Sequence, residues 1–252
     1  MKLVSLCPSL TELVFDLGVG DALVGRTKFC VHPQGQVEAV ERVGGTKNPK
    51  VDRIIALAPD LVLMNEEENR VEDAAALRAA GLEVHSSMPR TVAETSAMVR
   101  EIADRVGAAG RGRDLAAAID AEGARVSAAA AGRPPVRYAY LIWWEPMMVA
   151  GGGTFIEGIL AAAGGVNVFA TATERYPTIS PESLERQAVD AVLLSSEPFP
   201  FAQRHVEQLA DTTKIPPARF RLVDGELLSW HGSRTVAGLR YAGELMASLR
   251  AG

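Results

Sequence analysis

The sequence predicts an α/β protein of two three-layer lobes with mainly parallel sheets, joined by a single long interdomain helix, with a ligand cleft between the lobes. Three observations lead there. Strand-like and helix-like segments alternate in the first part of the chain and again in the last. Between them stands a helical pattern, Pro89 to Gly107, followed almost at once by a second, Arg113 to Ala131. A short internal echo relates the two parts: Asp60-Leu-Val-Leu-Met-Asn-Glu-Glu against Asp190-Ala-Val-Leu-Leu-Ser-Ser-Glu. In each, a helix precedes an apolar strand and a polar, acidic turn follows it. The division expected is an N-terminal lobe over 1–90, a linking helical segment over 91–131 and a C-terminal lobe over 132–252.

The elements follow in order. Leu3 to Cys7 reads as a first strand, and Ser9 caps a helix over Thr11–Leu17 that Gly18 and Gly20 end. Ala22–Gly25 is a short second strand, leading into the loop RTKFCVHPQG. Val51–Leu57 is helical, and Pro59-Asp60 turns the chain into Leu61–Met64, apolar throughout as a buried parallel strand should be. The polar run NEEENR, a helix over Val71–Ala80 and a strand over Leu82–His85 come next. In the central helix Thr91 and Glu94 have capping-box spacing, and Val92, Val99, Ile102 and Val106 recur near the helical period. The second part gives a strand over Arg137–Ile142, the turns WWEPMM and GGGT, and a helix over Phe155–Ala163. Then come a helix over Pro181–Gln187 capped by Ser180, a strand over Ala191–Leu194 and the turn SSEPFPF. A helix over Ala202–Ala210, a strand over Phe220–Val223, the loop DGELLSWHGSRT and a last helix over Thr235–Leu249 complete the chain.

Composition narrows the function classes. Of 252 residues 48% are hydrophobic and 23% charged, with a net charge of −5 and a pI near 5.5. Such a chain has no general attraction to nucleic acid. No apolar run reaches the roughly 18 residues that a membrane span needs. The N-terminal run is short and interrupted by Pro8, Ser9, Thr11 and Glu12, so it reads as a strand and turn rather than a signal peptide. Either the protein is cytoplasmic or an export signal is absent from this chain. Two cysteines, Cys7 and Cys30, permit one bridge, a metal site or two free thiols. GxSxG, a phosphate loop, a GxGxxG after a strand and HExxH are all missing, which argues against an enzyme.

In open α/β sheets ligands bind beyond the carboxyl ends of the strands, and here those ends carry the unusual residues. They include Ser9, Phe29 and His32, then Asn65, in the first part. In the second they include Trp143, Trp144, Tyr176, Phe199, Trp230, His231 and Arg234. All three tryptophans lie at such ends, where an indole suits a bulky ring or chelate or else closes a lobe core. His231 and Arg234 either meet an anionic group of a ligand or cap the last helix. Cys30 and His32 form a two-residue candidate for metal ligation, and His32 equally suits the lining of a cleft. Glu66, Glu67 and Glu68 make the densest charge run, either a solvated loop or carboxylates that pair with arginines of a partner.

The stretches SLCPSLTELVFDLGVGDALVG, KVDRIIALAPDLVLMNEE and SPESLERQAVDAVLLSSEP, with the central helix, resemble the helical-backbone substrate-binding proteins of ABC importers. That group handles cobalamin, ferric siderophores and haem, and the resemblance covers nearly the whole chain. It implies a binding protein, not an enzyme, that captures a metal-bearing chelate (corrinoid or ferric siderophore) in the interlobe cleft and needs no cofactor. It implies partners in an ABC permease and its ATPase, a monomer, and a periplasmic or other extracytoplasmic location. His32, Asn65 and Tyr176 fall where the cobalamin-binding members place aromatic cleft residues. Glu68 or Glu72, and Glu182, fall nearest the family's docking carboxylates. A helix joining the lobes also implies limited opening and closing. The reading from another class is an intracellular metal-handling protein or enzyme on the same scaffold, using Cys30 and His32.

Overall fold

The computed structural model describes residues 1–251. The chain divides into two compact units. The first comprises Met1–Pro89, Thr95–Ala118 and His231–Arg234; the second comprises Arg90–Glu94, Ile119–Trp230 and the chain from Thr235 onward.

The first unit holds β1 (Leu3–Ser5), α1 (Pro8–Asp16), β2 (Leu23–Arg26), β3 (Glu41–Arg42), α2 (Val51–Leu57), β4 (Leu61–Asn65), α3 (Val71–Ala79) and β5 (Val84–Ser87). Its sheet has the order β3-β2-β1-β4-β5, and every pairing is parallel. Val4, Leu6, Val62 and Met64 bury one face against Ile54 of α2 and Leu77 of α3. The first helix starts earlier than expected. Pro8 occupies its first turn, Cys7 is the cap residue, and Ser9 lies inside the helix rather than capping it. Proline's fixed φ suits that position and overrides the Ser signal.

Two helices follow, α4 (Val92–Arg105) and α5 (Ala109–Ala130). The longer rod is the second, at 22 residues against 14. Gly107, at φ +75°, ends α4, with Ala108 N–H bonded to Ala103 O and Gly107 N–H to Asp104 O. This is the 6→1 and 5→2 pair of a left-handed glycine stop. At the other end Thr91 Oγ1 accepts from Glu94 N–H (3.1 Å), but the Glu94 carboxylate reaches Arg90 N–H (2.7 Å).

The second unit holds β6 (Val136–Trp143), β7 (Met148–Val149), α6 (Phe155–Ala162), β8 (Gly165–Asn167), α7 (Pro181–Glu185), β9 (Ala191–Ser195), α8 (Gln203–Thr212), β10 (Phe220–Val223), α9 (Gly225–Ser229) and α10 (Thr235–Ala251). The order is β10-β9-β6-β7, with β8 also on β6. β10, β9, β6 and β8 run parallel, and only β7 is antiparallel. β8 pairs with the start of β6 and β7 with its end. No element was expected over β7, β8 or α9, because two, three and five residues are too few to carry a periodicity.

Strand alternation builds two cores from one sheet. Tyr138, Tyr140, Ala191 and Leu193 face α6 and α10, while Ala139, Leu141, Val192 and Leu194 face Leu184 and the α8 side chains. The Ser180 cap is present, its hydroxyl accepting from Ser183 N–H (3.2 Å). The GGGT turn is capped by its own helix: Thr154 Oγ1 accepts from Glu157 N–H (3.2 Å), and Gly153 N–H donates to the Glu157 carboxylate (2.7 Å). Gly158 lets α6 press on the chain at Arg90, where a Cβ would lie 2.0 Å from the Arg90 carbonyl oxygen. Among the described residues no helix is long and apolar enough to cross a membrane.

Candidate ligand-binding site

In the first unit the strand ends are stitched by short polar side chains. Asn65, expected to face a ligand, is only 2% exposed. Its Oδ1 accepts from Glu67 N–H (2.9 Å) and Glu68 N–H (3.2 Å); its amide donates to Ser87 O (3.0 Å) and to His231 Nε2 (2.9 Å). The two backbone donors fix which amide atom points where, so the His231 ring accepts at Nε2 and carries its proton on Nδ1. Burial pushes His231 down to a pKa of about 4, so it is neutral at pH 7. Asn69, four residues on, accepts from Asn65 N–H (2.8 Å) and donates to Leu6 O (2.9 Å) and Thr46 O (3.0 Å). The NEEENR run is therefore a turn pinned by an asparagine at each end, with Glu66 and Glu68 exposed between them. Asn65 and His231 are structural partners of each other.

Arg234 is engaged in the same way. Its Nε and Nη2 meet the two oxygens of Glu12 at 2.8 and 2.7 Å. Of the two readings for Arg234, an anionic group of a ligand or a cap on the last helix, the structure shows an anionic partner within the chain itself, across 222 residues of sequence.

Cys30 is fully buried, its sulfur within hydrogen-bond reach of Thr11 Oγ1 (3.0 Å) and Thr27 Oγ1 (3.1 Å). Cys7 Sγ lies 3.3 Å from Ser9 Oγ. Both thiols are free, and burial raises both pKa values. A metal-binding cysteine must ionise. Among the described residues no group of three or more His, Cys, Asp or Glu is placed to hold a metal ion. Of the expected metal pair, Cys30 is thus held between two threonine hydroxyls, and Ser9 lies inside α1.

What this unit leaves open is the loop after β2. Phe29 is 50% exposed, with the Lys28 ammonium 4.8 Å from its ring centre, and His32 is half-buried. Arg26, buried beneath, holds the loop at both ends: Nε donates to Val37 O (2.8 Å), and Nη1 to Cys30 O (2.8 Å) and Thr27 O (3.2 Å).

In the second unit the strand ends are aromatic. Trp143, the last residue of β6, is 40% exposed and donates its indole N–H to Glu145 O (3.0 Å). Phe199 stands edge-on to Trp143 (5.7 Å), to Phe201 (4.8 Å) and to His205 (5.1 Å). Trp144 packs on Phe201 (6.1 Å) and His205 (5.1 Å). His205 Nδ1 accepts from Ala202 N–H (2.9 Å), which fixes that ring as the start of α8. Tyr176 is half-buried and packs on the core beside α6 and α10. Trp230, expected in a ligand face, is 8% exposed, and its indole N–H donates to Glu197 Oε1 (2.6 Å). Glu197 belongs to the strand-end stretch Glu197 to Phe201 that the sequence points to, but an acidic residue two positions beyond a strand carries no signature of its distant partner.

The three docking candidates are exposed. Glu72 lies in the first turn of α3, 3.4 Å from Arg70 Nε, and Glu182 lies in the first turn of α7. The Ser180 hydroxyl holds the Glu182 carboxyl below its usual range. Glu68 sits in the turn between the two asparagines.

Two parallel-stranded α/β units with unusual side chains at their strand ends define a ligand-binding class of fold. The chain belongs to the periplasmic binding protein family, whose model matches residues 3–214. It is similar to the vitamin B12-binding protein of Vibrio cholerae serotype O1, 26% identical over 183 residues, which are 73% of this chain and 66% of that one. The vitamin B12-binding protein of Vibrio vulnificus is 22% identical over 253 residues, covering 98% of this chain and 90% of its own. In fold the chain resembles the crystal structure of the periplasmic vitamin B12 binding protein BtuF of Vibrio cholerae, with a TM-score of 0.86 at 20% identity over 100% and 98% of the two chains. The periplasmic heme-binding protein RhuT from Roseiflexus sp. RS-1, in apo form, gives 0.83 at 26% identity over 99% and 98%.

Proposed function

We propose that this protein is the substrate-binding component of an ABC importer and captures a metal-bearing chelate, corrinoid-like or ferric-siderophore-like, without transforming it. The observation that carries the proposal is the ring cluster at the ends of β6 and β9, led by Trp143 and Phe199, in a chain whose relatives are named for binding vitamin B12. Flat apolar rings at a strand end suit a macrocycle or chelate with a large face. We assign direct contact to Phe29 and His32 in the first unit and to Trp143, Trp144, Tyr176 and Phe199 in the second. Asn65, Ser9, Trp230, His231 and Arg234 are already committed to partners within the chain.

The helical segment 91–131 serves in this reading as the link between lobes. Glu68, Glu72 and Glu182 serve as carboxylates for a permease, and the working location is extracytoplasmic. Tryptophan quenching titrations with cyanocobalamin and with the ferric siderophore ferrichrome test the proposal. Saturable quenching by one of them, with the probe recovered unchanged, is expected. Failure to bind either one, or conversion of the bound probe, defeats the reading.

A further inference from the structure

The turn SSEPFPF was singled out for its place at a strand end, yet its glutamate has no part in the contacts assigned above. We propose that Glu197 is the positioning residue for the aromatic face of the second unit. It fixes the indole of Trp230 and the turn that carries Phe199.

Four residues converge on it: Trp230, Ser229, Gly225 and Ser195. Glu197 Oε1 accepts from Trp230 Nε1–H (2.6 Å) and from the Ser229 hydroxyl (2.7 Å), so one carboxylate oxygen holds the last residue of α9 and the residue that caps it. The start of α9 is fitted to the same glutamate. A Cβ on Gly225 would lie 2.6 Å from Glu197 Cγ and 2.9 Å from its backbone nitrogen, so only a glycine allows that approach. Gly225 N–H also donates to Ser196 Oγ (2.8 Å).

The backbone of Glu197 is bracketed by Ser195, whose hydroxyl donates to Glu197 O (2.5 Å), lies 3.3 Å from Glu197 N and 3.0 Å from the Tyr140 hydroxyl. Two residues further on, Phe199 reaches the Trp143 ring, and Phe201 N–H closes the turn onto Ser195 O (3.2 Å). The side chain thus grips α9 while its backbone sets the path to Phe199. Two hydrogen bonds to one part-buried carboxylate oxygen fix both donors at once.

The consequence for ligand capture rests on the function proposed above, so the test separates the two. In a Trp143→Phe, Trp144→Phe background Trp230 is the sole tryptophan, and excitation at about 295 nm reads it apart from the tyrosines. Acrylamide quenching of that emission is expected to rise several-fold in E197L, and by less in E197Q, which keeps a neutral acceptor. Unchanged quenching in both overturns the proposal, whatever the protein binds.

With all tryptophans present, E197L is expected to weaken binding of the probe that quenches the parent by about tenfold, the equivalent of one hydrogen bond to a charged group. E197Q should recover part of that loss. In a double-mutant cycle with Trp230→Phe the two losses should be less than additive, because they remove one interaction. Full additivity overturns the assignment. A parent protein that binds neither cyanocobalamin nor ferrichrome defeats the capture reading, while the quenching arm still decides the role of Glu197. E197Q guards against a misfolded E197L.

Discussion

At the end of β4 one buried amide, Asn65, joins four partners; at the ends of β6 and β9 a set of packed rings holds the corresponding place. The first unit secures its strand ends by donor and acceptor matching, with Asn69 on Leu6 and Thr46 and Arg26 on three carbonyls. The second secures them by edge-on ring contacts about Phe199. The two modes fail differently. A hydrogen-bond hub that loses one member leaves buried groups unsatisfied, at a cost of about 1–3 kcal/mol for each. A ring cluster that loses one member loses area and shape and can partly collapse onto the gap. The first unit should therefore be the more sensitive in stability, and the second in ligand affinity.

The largest expected effect is on the hub. Asn65→Leu strands two backbone N–H groups, the Ser87 carbonyl and the His231 ring, and should lower stability by about 4 kcal/mol in urea unfolding. A loss below about 1 kcal/mol would show that the hub does not hold the unit.

Next comes pH. His231 has a folded pKa of about 4, below its ordinary 6.5, because burial disfavours the imidazolium. Below 6.5 the unfolded chain takes up a proton that the folded chain refuses until about pH 4. Stability therefore falls as pH drops through that window and levels off below it. The loss from this group approaches about 3 kcal/mol. His85 is also held below its ordinary value by burial and adds to the same trend. His231→Asn should flatten most of the slope between pH 6.5 and 4; a slope that persists in full assigns it elsewhere.

Third, Phe199→Ala should weaken binding of the quenching probe by about tenfold, more than Phe29→Ala does, since central, packed aromatics carry most of a binding face. The reverse order would make the first unit the principal contact. The smallest expected change is Glu12→Gln, which leaves the Arg234 guanidinium facing a neutral amide in place of the half-buried bidentate pair. It should cost about 1 kcal/mol, with a smaller difference between high and low salt than the parent shows.

Much of the architecture was legible from local chemistry. Leu61–Met64 and Ala191–Leu194 are apolar runs bounded by turns, and both are buried parallel strands. Ser180 and Thr154 precede helices they do cap, and Gly107 ends α4, because capping is decided within four residues. Phe29, Trp143 and Phe199, which we propose as ligand contacts, were picked out by one rule, that ligands bind beyond the carboxyl ends of parallel strands. The sequence by itself thus determined the α/β class, the parallel strands and the chemical character of the strand ends.

Only the tertiary structure decided which of those side chains are free to meet a ligand. Asn65 and His231 are 166 positions apart, Glu12 and Arg234 are 222 apart, and Glu197 meets Trp230 across 33. A buried polar group must find a partner, and which one it finds depends on where the folded backbone brings distant strands and helices together. Short-range patterning carries no record of that.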